Sequence, residues 1–175
     1  MIISINKNIV SLKNILLFLV STLPITLMIG SAVINVYVLI IDFIFLFILI
    51  KNKNLAYFKN KTFYLLLFLW FSLLLNMIMS SGIENSLSRS FGFVRYIIFI
   101  FAIKFILNKN KDHDKIIFLS WSVLFIIVSF DIIFETIFGF NTLGFQNNLP
   151  GRISSFLDDE LKIGNYYFGF ILITL

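Results

Sequence analysis

Long apolar runs, interrupted by short clusters of lysine, dominate this sequence. The first run extends over residues 15–50. As a single helix it would be about 54 Å long at 1.5 Å per residue, well beyond a hydrocarbon core of about 30 Å. Pro24 and the Gly30–Ser31 pair offer a kink and a break within it. We therefore predict two membrane helices, over residues 12–29 and 32–50, joined by a tight turn.

The rest of the chain repeats this pattern and carries little polar surface. Apolar residues make up 59% of the 175 residues and charged residues 13%, whereas soluble domains carry about 45–50% and about 25%. We predict a single membrane domain over residues 1–175, an all-α polytopic transmembrane helical bundle with about five complete spans and a truncated sixth. The further predicted helices are 63–79, 91–107, 116–134 and 164–175. Because the last run is shorter than the roughly 20 residues of a span, we expect an N-terminal fragment of a longer protein.

Lysine clusters predict the orientation of the chain in the membrane. Cytoplasmic loops of membrane proteins carry an excess of Lys and Arg. If the N-terminus is cytoplasmic, the inner side holds ten of the fourteen basic residues, namely Lys7, Lys13, Lys51, Lys53, Lys59, Lys61, Lys104, Lys109, Lys111 and Lys115. The outer side holds Arg89, Arg95, Arg152 and Lys162. We therefore predict a cytoplasmic N-terminus and an extracytoplasmic loop over residues 135–163.

The composition also argues against several kinds of chemistry. Cysteine is absent, so the sequence provides neither a disulfide framework nor a thiolate. The single histidine, His113, lies in a loop rich in Lys and Asp, and we interpret it as solvated rather than as a metal ligand. The net charge of +5 comes from the lysines that set topology. We expect no metal, no cofactor and no nucleic-acid partner; the partner that composition indicates is the lipid bilayer.

Five charged residues within or beside the predicted helices are candidates for function, because an intramembrane charge is costly. Asp42 lies in the middle of the second helix, and we interpret it as a buried, hydrogen-bonded link to another helix. Arg95 lies about one turn inside the outer end of the fourth helix, with Arg89 just before it. The alternative interpretations are that the Arg95 side chain snorkels to the outer headgroups and that Arg89 is a solvated loop charge. Asp131 and Glu135 are four residues apart and share one helix face, where they could pair with an outer arginine.

The richest polar segment covers residues 147–165 and reads NNLPGRISSFLDDELKIGN. An ordinary loop with acids capping the next helix is its alternative interpretation. Residues 151–165, GRISSFLDDELKIGN, resemble the signature R-x-S-G-F-x-x-(D/E)-E-x-x-x-G of the O-antigen ligase and O-antigen polymerase family. Residues 86–96, SLSRSFGFVRY, resemble the segment with which that family opens an earlier helix. One departure is Ser155, where the family commonly has glycine.

This resemblance implies a bacterial inner-membrane glycosyltransferase with a GT-C-like helical fold. Such enzymes transfer or polymerise glycan from an undecaprenyl pyrophosphate carrier at the extracytoplasmic face, in surface polysaccharide or lipopolysaccharide biosynthesis. The acceptor is a glycolipid or another glycan. By position, the resemblance assigns diphosphate binding to Arg152, Arg89 and Arg95. It gives Arg152, Glu160 and Asp159 as catalytic residues, the two acids orienting Arg152 or the acceptor. The family's catalytic histidine belongs to a later loop, so we expect this fragment alone to be inactive.

Two other functions stay open from the residues alone. A transporter or flippase would use Asp42 and Arg95 as intramembrane charges, and would need polar residues at several depths. A structural membrane subunit would use its charges only to set topology. The polar residues concentrate at one predicted face, which favours the enzyme.

Overall fold

The structure is a computed structural model that describes residues 2–53, 55–79, 83–107, 111–144, 153 and 155–157. Within these ranges the chain is helical and contains no strand. Five α-helices follow one another: α1 (Ile2–Ile29), α2 (Ser31–Lys51), α3 (Lys61–Met79), α4 (Ile83–Leu107) and α5 (Lys111–Phe138). Two 3-10 helices, Leu55–Lys59 and Ser155–Leu157, lie outside them.

Each of the five α-helices contains a segment long and apolar enough to cross a membrane. The part of the chain that the structure describes is therefore all-helical with five candidate spans, as the apolar runs predicted. Four boundaries differ from the prediction by more than two residues. Helix α1 begins at Ile2 rather than at 12, and α4 begins at Ile83 rather than at 91. Helix α5 covers Lys111–Phe138 rather than 116–134, so His113 and Glu135 belong to the helix and not to the loops in which they were expected. Hydropathy locates only the part of a helix that suits lipid, and a helix can continue past it into water. The predicted sixth run, 164–175, lies outside the described residues.

Helix α1 runs without interruption through Pro24 and ends at Ile29. The break is at Gly30, whose φ of +139° a residue with a side chain rarely adopts. Proline has no amide hydrogen, so the carbonyl four residues earlier, that of Val20, loses its helical donor. The Trp121 indole Nε1 of α5 donates to this carbonyl at 3.0 Å, and Ser120 Oγ donates to the adjacent Ser21 carbonyl at 2.9 Å.

The chain divides into two compact units, the first made of Met1–Leu17 and Val38–Asn110. Its buried residues are mostly apolar, and aromatic rings fill the end where α2 and α4 finish. The ring of Phe105 lies 5.6 Å from those of Phe45 and Tyr57, and the Lys13 ammonium lies 5.6 Å above it. The 3-10 helix Leu55–Lys59 supplies Tyr57 to this cluster, so the connection between α2 and α3 is packed onto the helices.

Helix α3 also belongs to the first unit, and none of its residues is buried. Its long apolar side chains, among them Phe68 at 73% exposure, suit contact with lipid. It is tied to α4 by Trp70, whose Nε1 donates to the Ser90 carbonyl at 3.0 Å.

The second unit consists of Phe18–Tyr37 and Lys111–Leu175. Val128 of α5 is its buried apolar centre at 2% exposure. The residues packed against Val128 are Met28 of α1, Trp121, Phe125 and Ile132 of α5, and Phe156 of the second 3-10 helix. Phe156 thus packs the second 3-10 helix against α5 at Val128.

Candidate functional site

Two carboxylates occupy the last turns of α5. Asp131 is fully buried and Glu135 is 6% exposed, and their spacing of four residues places them on one helix face. The C-terminal end of a helix carries partial negative charge and unpaired carbonyls, so acidic groups are disfavoured there. Two buried carboxylates at this position therefore need hydrogen-bond donors from elsewhere in the chain.

The chain that leaves α5 supplies the first of these donors. Gly139 ends the helix in the left-handed conformation, with φ +77°, and its N–H donates to the Glu135 carbonyl at 2.8 Å. The chain then reverses. The backbone N–H of Thr142 donates to Asp131 Oδ1 at 2.8 Å, and the Thr142 hydroxyl donates to the same oxygen at 2.5 Å.

Ser155 supplies the remaining donors and is held by all three of its polar groups. Its hydroxyl donates to Asp131 Oδ2 at 2.5 Å, and its backbone N–H donates to Glu135 Oε2 at 2.6 Å. Its carbonyl accepts from Asn141 Nδ2 at 2.9 Å. We call Asp131, Glu135, Asn141, Thr142 and Ser155 together the Ser155 anchor. It fixes the second 3-10 helix against the end of α5.

Ser155 adopts an unusual backbone conformation within this anchor. Its φ is +51° and it is fully buried. Residues with a Cβ lose about 1–2 kcal/mol in the left-handed region. Such a conformation persists where the surroundings fix it, and the three hydrogen bonds provide that constraint. A residue without a side chain would adopt the same φ at no steric cost.

The sequence-predicted site residues fall into two groups. Arg152, Asp159 and Glu160 lie outside the described residues. Arg89 lies on α4, but its side chain also lies outside the described part. Arg95 is described: its Nη2 donates to the Tyr96 hydroxyl at 2.9 Å, and its guanidinium lies 4.7 Å from the centre of the Tyr96 ring. The diphosphate-binding and catalytic roles of all five residues stay predictions.

Asp42 is buried at 4% exposure, as expected for a charge in the middle of a span. The expected hydrogen-bonded link to another helix is wrong, because neither carboxylate oxygen has a hydrogen-bond partner. Val38 and Phe45, the buried residues about one turn away on α2, are apolar and offer no donor. Asp42 instead interacts electrostatically with the positive charge of Arg95 in the same unit.

Sequence reasoning missed Asn141 and Thr142, and noted Ser155 only as a departure from the family pattern. A local signal was present for the first two, because a glycine that ends a helix followed closely by Asn and Thr is typical of a hydrogen-bonded turn. The pairing of Asp131 and Glu135 with an outer arginine stays a prediction, since Arg152 is not among the described residues.

Neither a metal site nor a known relative adds to this description. Among the described residues, no group of three or more His, Asp or Glu side chains is placed to hold a metal ion. No protein-family model matches the chain, and no curated protein and no solved structure is similar to it.

Proposed function

We propose that this chain is part of a membrane glycosyltransferase that moves glycan from an undecaprenyl pyrophosphate carrier at the extracytoplasmic face. The observation that carries the proposal is the Ser155 anchor. It lies three residues after Arg152, at the end of α5 that the lysine pattern predicts to face outwards. A loop that presents a reacting group must hold it in a defined position, and the anchor provides a fixed point close to Arg152 in the sequence.

The backbone conformation of Ser155 also supports the proposal. In the family that residues 151–165 resemble, this position is commonly glycine. Here serine occupies it with φ +51°, a backbone conformation that glycine adopts without steric cost. Serine is compatible with this positive φ, because its hydroxyl gains a hydrogen bond to Asp131 that glycine would lack.

The proposed reaction is a displacement at the anomeric carbon of the carrier-linked sugar. The acceptor hydroxyl oxygen forms the new bond to that carbon, and its proton passes to a base. The bond from the carbon to the diphosphate oxygen breaks, and both its electrons leave with the carrier pyrophosphate. Negative charge grows on this leaving group, and a fixed guanidinium stabilises it through bidentate hydrogen bonds. Arg152 is assigned this role, with Arg89 and Arg95 as further diphosphate-binding residues.

The test is surface-glycan display in source cells that lack the native gene copy and express a variant of it. We expect Arg152→Ala to abolish display at normal membrane levels of the protein. Thr136→Ala is the matched control, because Thr136 is exposed and, among the described residues, its hydroxyl donates to the Ile132 carbonyl of its own helix. Normal display from Arg152→Ala would remove the proposed role of Arg152. No effect of deleting the whole gene would favour a structural subunit.

A transporter is the second candidate, and the observation that favours it is Asp42. A buried carboxylate without hydrogen bonds, in the middle of a span and in the field of Arg95, is the kind of group that ion or proton pathways use. This candidate predicts that Asp42→Asn abolishes uptake or export of a solute while glycan display stays normal. Normal transport by Asp42→Asn would exclude it.

A further inference from the structure

The Ser155 anchor holds one short segment by hydrogen bonds from both sides of the chain reversal. Asp131 and Glu135 approach Ser155 from α5, and Asn141 approaches it from the turn that follows. Together they hold the N–H, the C=O and the side chain of the same residue.

Both acidic residues of the anchor bind Ser155 directly. Both oxygens of Asp131 accept hydrogen bonds, one from Thr142 and one from Ser155, and Glu135 accepts the Ser155 amide. Buried carboxylates at a helix C-terminus are unfavourable without such donors. Asp131 and Glu135 therefore stabilise the position of Ser155, and Ser155 in turn supplies donors that stabilise the two buried carboxylates.

We propose, on the basis of the function proposed above, that Asp131 and Glu135 are positioning residues for the diphosphate-binding segment. Ser155 is three residues from Arg152, a length of chain that spans at most about 11 Å when fully extended. The hydrogen bonds to Ser155 fix one end of this length of chain. A site that is fixed in advance binds more tightly, because only the competent fraction of the protein contributes to the apparent affinity.

The first measurement asks whether the anchor holds the segment. The sequence has no cysteine, so a cysteine introduced at Ile153, which is partly buried, reports the opening of the segment through its rate of thiol labelling. In the whole protein in phosphatidylcholine nanodiscs, we expect Ser155→Ala to raise this rate about tenfold. A cysteine at Leu143, 65% exposed in the same turn region, should label at an unchanged rate. An unchanged rate at position 153 would overturn the proposal.

The second measurement asks whether the anchor serves anion binding, with inorganic pyrophosphate as the probe. We expect Glu135→Ala and Ser155→Ala each to weaken pyrophosphate binding about tenfold, and Thr136→Ala to leave it unchanged. Glu135→Gln keeps an oxygen for the Ser155 amide and should restore binding. Weak pyrophosphate binding by Glu135→Gln would overturn positioning through Ser155, because it would show that the negative charge of Glu135 is needed and not its hydrogen bond to the Ser155 amide. Ser155→Ala keeps both backbone hydrogen bonds, so the test stands even where Glu135→Ala fails to fold.

Arg152→Ala separates this proposal from the function on which it rests. If the wild-type protein binds pyrophosphate and Arg152→Ala does not, while both anchor variants bind normally, positioning by Asp131 and Glu135 is overturned and the function stands. If Arg152→Ala binds as the wild type does, or the wild type does not bind at all, the diphosphate role fails and the positioning proposal fails with it.

Discussion

The indole of Trp121 replaces the helical donor that Pro24 removes from the carbonyl of Val20. We predict that Trp121→Phe destabilises the protein strongly only when residue 24 is proline. In the Pro24→Ala background the alanine amide returns to the Val20 carbonyl, so the indole is no longer needed. The perturbation is therefore a double-mutant cycle of Trp121→Phe and Pro24→Ala.

The magnitude follows from what is left unpaired. A buried carbonyl without a donor costs about 1–3 kcal/mol, and interhelical hydrogen bonds in membrane proteins average about 0.6 kcal/mol with a maximum near 1.7 kcal/mol. We therefore expect a coupling free energy of about 1–2 kcal/mol, or roughly a 5- to 30-fold change in the unfolding equilibrium. The packing lost when indole becomes phenyl is the same in both backgrounds and cancels.

The assay is equilibrium unfolding in lipid–detergent micelles by titration with sodium dodecyl sulfate, followed by circular dichroism. Trp70→Phe is the matched control. Its indole also donates to a carbonyl, that of Ser90, at 3.0 Å, but Val94 four residues on carries the amide that an α-helix directs to that carbonyl. Trp70→Phe should show no coupling with Pro24→Ala. Additive effects of Trp121→Phe and Pro24→Ala would refute the donor replacement.

Three further predictions follow from the other contacts. Ser155→Gly and Ser155→Ala both lose the hydroxyl, but Gly should be more stable by about 1 kcal/mol because φ is positive there; equal thermal unfolding temperatures would contradict the left-handed conformation. Asp42→Leu and Arg95→Met should each destabilise, while the double variant regains at least about 1 kcal/mol in the same unfolding assay; additive losses would show that the two charges do not interact. A membrane-impermeant thiol reagent should label Leu143→Cys from outside and leave Asn52→Cys unlabelled; the reverse pattern would invert the predicted topology.

The helices were predictable from sequence because the bilayer imposes a length and a composition that each apolar run satisfies. Whether the helix continues through Pro24 was not predictable in this way. The residues around it allow a kink or a break, and the choice depends on a donor from Trp121, about a hundred positions later in the chain. The start of α4 was missed for another reason, because hydropathy does not indicate helix in the polar turns that precede the span.

The Ser155 anchor illustrates the same division between local and distant information. The spacing of Asp131 and Glu135 indicated a shared helix face, whereas the end of the helix was predicted at 134 and lies at Phe138. Nothing near Asp131 indicates that its partner is a serine 24 residues later. The hydrogen-bonded link expected for Asp42 failed similarly, since the absence of a donor depends on which residues neighbouring helices place there.

The most direct test of the central claim is the amount of carrier-linked glycan in membranes of cells that express Arg152→Ala in place of the native protein. If Arg152 stabilises the departing pyrophosphate, the glycan stays on its carrier, and the account predicts that carrier-linked glycan accumulates relative to wild-type and Thr136→Ala cells. Carrier-linked glycan at the wild-type level, with the variant present in the membrane at normal amounts, would contradict it.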